Sequence, residues 1–257
     1  MDPSGKRMNW KIAAVALIIT GVLVAAARAS VPESTVTFLP TTIREVTKKG
    51  PVYIHIPPDR DPKAGVLIYV HGHRSDFTTK WYVDSVWNKH DLPGKFDASK
   101  SKAVLVAVAS WDGKKKGVSW PDLDVLVTKL ERQLGPIPYV HAMGHSGAWK
   151  NLSQWSRSAR LDHLTLLDST YGGLKDFRNF GKVKRMDIAV GKWGKPRSNA
   201  KVVLKGLQFC AVRLKNVASS KCRVIAVEEK IRHSNWAIDN AMIEFMARGA
   251  VLRASDP

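Results

Sequence analysis

The chain has 257 residues, 44% of them hydrophobic, enough to bury one substantial core and too few for several large domains. Its 41 lysines and arginines outnumber 22 acidic residues for a formal net charge of +19, which draws a protein to anionic polymers, membrane headgroups or nucleic acid. The basic residues are dispersed, apart from Lys114 to Lys116 and the stretch 178–205, with no nucleic-acid motif among them, so the charge reads as localisation or substrate attraction rather than base recognition.

At the N-terminus, Lys6, Arg7 and Lys11 precede an apolar run over residues 12–27, closed by Ala27-Arg28-Ala29. A basic segment, an apolar segment and a small-x-small site predict a signal peptide over residues 1–29, cleaved after Ala29, and an exported domain over residues 30–257. The run is short for a membrane span, and an uncleaved N-terminal anchor is the alternative. Without residues 1–29, four basic residues and one acidic one are gone and +16 remains. Secretion or a periplasmic location makes the cysteine pair meaningful, because disulfides persist there. Cys210 and Cys222 are expected to pair, closing a small late loop worth a few kcal/mol.

In chain order, TVTFLP (35–40) and PVYIHIP (51–57) alternate and predict an antiparallel pair at the start. GVLIYVHG (65–72), AVLVAVAS (103–110), PYVHAMG (138–144) and LTLLDS (164–169) are nearly continuous apolar runs, the mark of strands buried on both faces of a parallel sheet. PDLDVLVTKLERQLG (121–135) predicts a helix, with proline early and glycine closing. Another helix is expected after Ser146. MDIAVG (186–191) and CRVIAVEE (222–229) supply two more strands, and a final helix over 235–247 is expected to be capped by Ser234 and to face the core with Trp236, Ile238, Ile243, Phe245 and Met246. The alternation predicts an α/β fold: a mostly parallel central sheet flanked by helices, with antiparallel strands at the N-terminal edge.

Between the third of the continuous runs and the helix after it lies Gly144-His145-Ser146-Gly147-Ala148. A serine on a sharp strand-to-helix turn needs small neighbours, because the two backbones approach closely. Gly144 and Gly147 meet that need, and Ala148 stands where the usual pattern has its second glycine. Upstream, Tyr69-Val70-His71-Gly72-His73 ends an earlier strand. In this order of elements the chain resembles the α/β-hydrolase superfamily over most of its length.

The resemblance implies a nucleophile at Ser146, with the amide of Gly147 and that of His73 or Gly72 as the oxyanion hole. It places the base after the last strand, where EEKIRHSNW holds His233. The acid is expected at Asp168, an alternative position in the superfamily, because KWGKPRSN after the more common strand holds no carboxylate; Glu228 and Glu229 are the runners-up. A metal centre built from His71, His73, His141 and His145 is the competing arrangement, but no carboxylate completes a ligand spacing; no metal and no cofactor are expected.

Trp111 and Trp120 flank the basic stretch DGKKKGVS and are the substrate-contact candidates, whereas Trp149 and Trp236 read as packing. No apolar lid separates Asp168 from His233, which disfavours long acyl chains. The sequence therefore predicts an exported serine hydrolase that cleaves an ester or amide through an acyl-enzyme, in an anionic envelope polymer such as peptidoglycan or on a small carboxylic ester. The alternative is a non-catalytic protein of the same fold that holds an anionic polymer or membrane surface.

Overall fold

The computed structural model describes residues 41–71, 82–110, 118–167, 169, 183–191, 222–227, 243, 246 and 247. The expected signal segment, its cleavage site and strand 35–40 lie outside the described residues. Eight described strands form one sheet: β1 (Thr41–Thr47), β2 (Gly50–Ile56), β3 (Val66–Val70), β4 (Val104–Val108), β5 (Val140–His145), β6 (His163–Leu167), β7 (Arg185–Gly191) and β8 (Cys222–Val227). Their spatial order is β1-β2-β4-β3-β5-β6-β7-β8. β1 pairs with β2 and β2 with β4 antiparallel, and every later pairing is parallel. The architecture is the expected mostly parallel sheet with an antiparallel N-terminal edge.

The apolar runs became central strands for the reason that made them legible. Every residue of β3, β4 and β6 is buried, because both faces of the sheet are covered. One face packs Val52, Val70, Val108, Ala142 and Leu166 against helix α3 (Leu123–Leu134) and helix α4 (Trp149–Trp155). The other face packs Tyr53, Leu67, Tyr69, Leu105 and Met143 against α1 (Tyr82–Lys89) and α2 (Leu92–Ala98). Met246, in the segment expected to form the final helix, is helical and buried in this second cluster.

α3 begins two residues later than its proline suggested. The Asp122 side chain accepts from the amides of Asp124 and Val125, and Gly135 closes the helix, so the aspartate rather than Pro121 sets the N-cap. The early hairpin also differs from expectation: the partner of β2 is TTIREVT, at 41–47, not 35–40. This strand carries few apolar residues and is largely exposed, since it lies at the sheet edge. Its turn is held by the Thr47 hydroxyl, which donates to the Gly50 carbonyl at 2.8 Å and accepts from the Lys49 amide at 3.0 Å. Gly50 there has φ of 106°, a conformation open to glycine. Arg44 then fastens β1 to the body of the protein by a two-pronged contact with Asp84 on α1, at 3.1 and 3.0 Å.

Candidate active site

Ser146 follows the last residue of β5 and opens a 3-10 turn, Ser146–Ala148, that runs directly into α4. Its φ is 51°, in the left-handed region that costs an L-residue other than glycine roughly 1–2 kcal/mol. Such strain persists only where the surroundings over-determine it. Here β5 is locked between β3 and β6, and α4 is pinned from its far side. Asn151 Nδ2 donates to the Ser119 carbonyl at 2.6 Å and Trp155 Nε1 to the Trp120 carbonyl at 2.7 Å, both buried.

Gly144 explains how strand and helix come so close. A Cβ at this position would lie 2.4 Å from Leu152 Cδ1 and 3.0 Å from Ala148 Cβ. Ala148 is itself fully buried. The methyl group that departs from the glycine pattern therefore occupies space that Gly144 leaves empty, so alanine fits at this turn.

The acid and base candidates, Asp168 and His233, lie outside the described residues, as do Glu228, Glu229, Gly72, His73 and Trp111. The chain neighbours of Asp168 both reach the turn. Leu167 pairs in register with His145, and the buried Ser169 donates its hydroxyl to the Ser146 carbonyl at 2.7 Å. Gly147 is half-buried within the 3-10 turn, where the first amides of a helical segment lack an acceptor inside the helix. Ser169 and Asn151 carry no signal in the sequence.

Trp120 departs from its expected role as a loop contact. It is 3% exposed, belongs to the core cluster under α3 and α4, and carries Lys49 Nζ 5.0 Å from its ring centroid. Trp149, read as packing, does pack against the same core. Cys222 opens β8 and is buried, no cysteine among the described residues is free, and its expected partner Cys210 lies outside them.

A second histidine–carboxylate arrangement lies inside the sheet. His163 Nε2 is 3.0 Å from Asp187 Oδ2, and the His163 ring stacks on His141 with centroids 3.9 Å apart and planes 7° from parallel. His141 Nε2 is 2.8 Å from the Thr165 hydroxyl. All four residues are buried. Burial, and then the nearby Arg185 guanidinium, push the His163 pKa down to about 3, and burial holds His141 well below the usual histidine range. His141 precedes Ser146 by five strand residues, roughly 16 Å at strand rise, so this pair sits at the opposite end of the sheet from the serine and does not serve it as base. Among the described residues no group of three or more His, Cys, Asp or Glu side chains is arranged to hold a metal.

No protein-family model matches the chain, and no curated protein matches it by sequence. Solved structures do match in shape. An esterase from Pyrobaculum calidifontis aligns with a TM-score of 0.53 at 13% identity, covering 91% of this chain and 90% of the esterase. A feruloyl esterase module from Clostridium thermocellum aligns at 0.52 and 10% identity, over 81% and 90% of the two chains. An S-formylglutathione hydrolase from Agrobacterium tumefaciens aligns at 0.51 and 10% identity, over 82% and 95%. Sheet order, strand-to-helix turn and these likenesses agree: the chain has the α/β-hydrolase fold.

Proposed function

We propose that the protein is a serine hydrolase acting on carboxylic esters, with Ser146 as nucleophile, His233 as base and Asp168 as acid. The observation that carries the reading is the left-handed Ser146 between β5 and α4, a strained strand-to-helix turn of the kind that lifts a nucleophilic serine clear of a sheet. Ser146 Oγ attacks the substrate carbonyl carbon while its proton passes to His233. The Gly147 amide and that of His73 or Gly72 hold the resulting oxyanion. His233 then returns the proton to the leaving oxygen as the bond to it breaks, and water repeats the sequence on the acyl-enzyme.

Ester rather than amide cleavage is favoured because the solved proteins of similar shape include esterases by name. The basic charge and the N-terminal segment support an exported enzyme, in the periplasm or outside the cell, with a Cys210–Cys222 disulfide and an ester on an anionic envelope polymer as its substrate. The test is labelling by a fluorophosphonate probe together with turnover of p-nitrophenyl acetate. The wild-type protein is expected to do both, and Ser146→Ala to do neither while keeping its circular dichroism. Labelling at another residue, or turnover retained by the Ser146→Ala protein, overturns the assignment. Absence of both in the wild type favours the non-catalytic alternative.

A further inference from the structure

The register of the sheet puts a second feature on the edge that carries Ser146. Glu45, Val52, Val108, Val70 and Gly144 form one continuous cross-strand row. The turn after β1, with Lys48 and Lys49, therefore lies at the same end of the sheet as the serine. Three strand spacings separate β2 from β5, about 15 Å. Beside that turn, between β1 and α3, runs an open groove of about 590 Å³, a volume that holds ligands of one or two ring units.

The groove has two kinds of wall. Val125, 48% exposed on α3, makes it apolar above the buried Trp120. Lys48, Lys49 and Arg132 make it cationic, and none of these three has a carboxylate partner among the described residues. The acidic groups nearby are already engaged: Glu45 accepts from Lys129 Nζ at 2.5 Å and from Gln133 at 3.1 Å, and Asp124 accepts from the Ser158 hydroxyl at 2.5 Å. Cations without a carboxylate partner, beside an apolar wall, suit a ligand that is anionic and carries a ring body. An opening to solvent along the sheet edge suits a ligand that continues as a chain.

We propose that this groove is a binding site for an acidic polysaccharide, a linear polymer whose sugar rings bear carboxylates. Rings lie against Val125, and carboxylates meet Lys48, Lys49 and Arg132. A chain seated there and extended along the strand ends passes Ser146. Binding itself does not depend on the chemistry of that serine, so the site and the hydrolase reading stand or fall separately.

The probe is fluorescently labelled oligogalacturonate, titrated against the full chain by anisotropy at several salt concentrations, with a neutral oligosaccharide and dextran sulfate as comparisons. Wild type and Ser146→Ala are expected to bind oligogalacturonate equally and the neutral sugar not at all. The double change Lys48→Glu and Arg132→Glu should weaken binding at least tenfold and reduce its salt dependence. The double change Lys63→Glu and Lys102→Glu, the same charge change at the opposite end of the sheet, should weaken it less than threefold. Val125→Asp, on an exposed helix face, should weaken it without unfolding the protein. Equal losses in the two double variants would reduce the effect to net charge and overturn the site. No binding by the wild type, or preference for dextran sulfate, would also overturn it.

Discussion

The hydroxyl of Ser169 donates to the backbone carbonyl of Ser146 across 2.7 Å, joining the end of β6 to the strained residue that follows β5. Both residues are buried. The bond fixes the carbonyl, and with it the peptide plane that carries the Gly147 amide.

Removing that hydroxyl is therefore expected to disturb the turn more than the fold. Ser169→Ala should lower stability by about 1 kcal/mol and reduce kcat for p-nitrophenyl acetate at least tenfold with little change in KM. Denaturant melts and steady-state kinetics on one preparation check both parts. Unchanged kcat would show that the turn holds itself without Ser169.

The left-handed φ of Ser146 gives a prediction about stability. Glycine adopts this conformation freely, whereas alanine pays the same penalty as serine. Both Ser146→Gly and Ser146→Ala are expected to be inactive, with the glycine protein the more stable by about 1 kcal/mol, or roughly 2–4 °C in Tm. Calorimetry on the two inactive proteins decides it, and a lower Tm for the glycine variant would contradict the strain.

The contact at Gly144 predicts a coupling between two positions. Gly144→Ala forces a methyl group against Leu152 Cδ1 and should cost about 1–3 kcal/mol. Leu152→Ala, at a fully buried site, should cost about 2–5 kcal/mol. In the double variant the new methyl enters the vacated space, so the combined loss should fall below the sum by at least 0.5 kcal/mol. Urea unfolding of the four proteins measures the difference.

The buried histidines predict acid sensitivity with a definite sign. His163 donates to Asp187, whose carboxylate also lies 3.7 Å from Arg185, and His163 stacks on His141. Both histidines have pKa values below that of the unfolded chain, His163 at about 3. Their folded state thus stays neutral while the unfolded state gains protons. Stability is full above pH 6.5 and falls as pH drops below it, for His163 down to about 3, by about 1.4 kcal/mol per pH unit for each histidine still neutral in the folded state. Urea midpoints at pH 7 and pH 5 test this, and His141→Gln, which keeps a hydrogen-bonding group for Thr165, should roughly halve the slope. A slope unchanged in that variant would place the sensitivity elsewhere.

Much of this fold is written locally. β3, β4, β5 and β6 are legible because burial on both faces demands unbroken apolar runs. α3 is legible because Asp122 and Gly135 bracket an apolar period. The turn at Ser146 is announced by Gly144 and Gly147, since small residues are what a close strand-to-helix crossing requires. By contrast β1 is a polar edge strand whose identity comes only from its partner, and α1 and α2 carry no strong signal of their own.

The chain alone also leaves open why Ala148 is tolerated, that Ser169 holds Ser146, that His163 belongs with Asp187 and not with the serine, and that Lys48 shares an edge with Gly144. Periodicity and punctuation act over a few residues and are carried by each segment's own side chains. These other relationships join residues far apart in sequence, and they exist only once strand order and register have decided which distant side chains become neighbours.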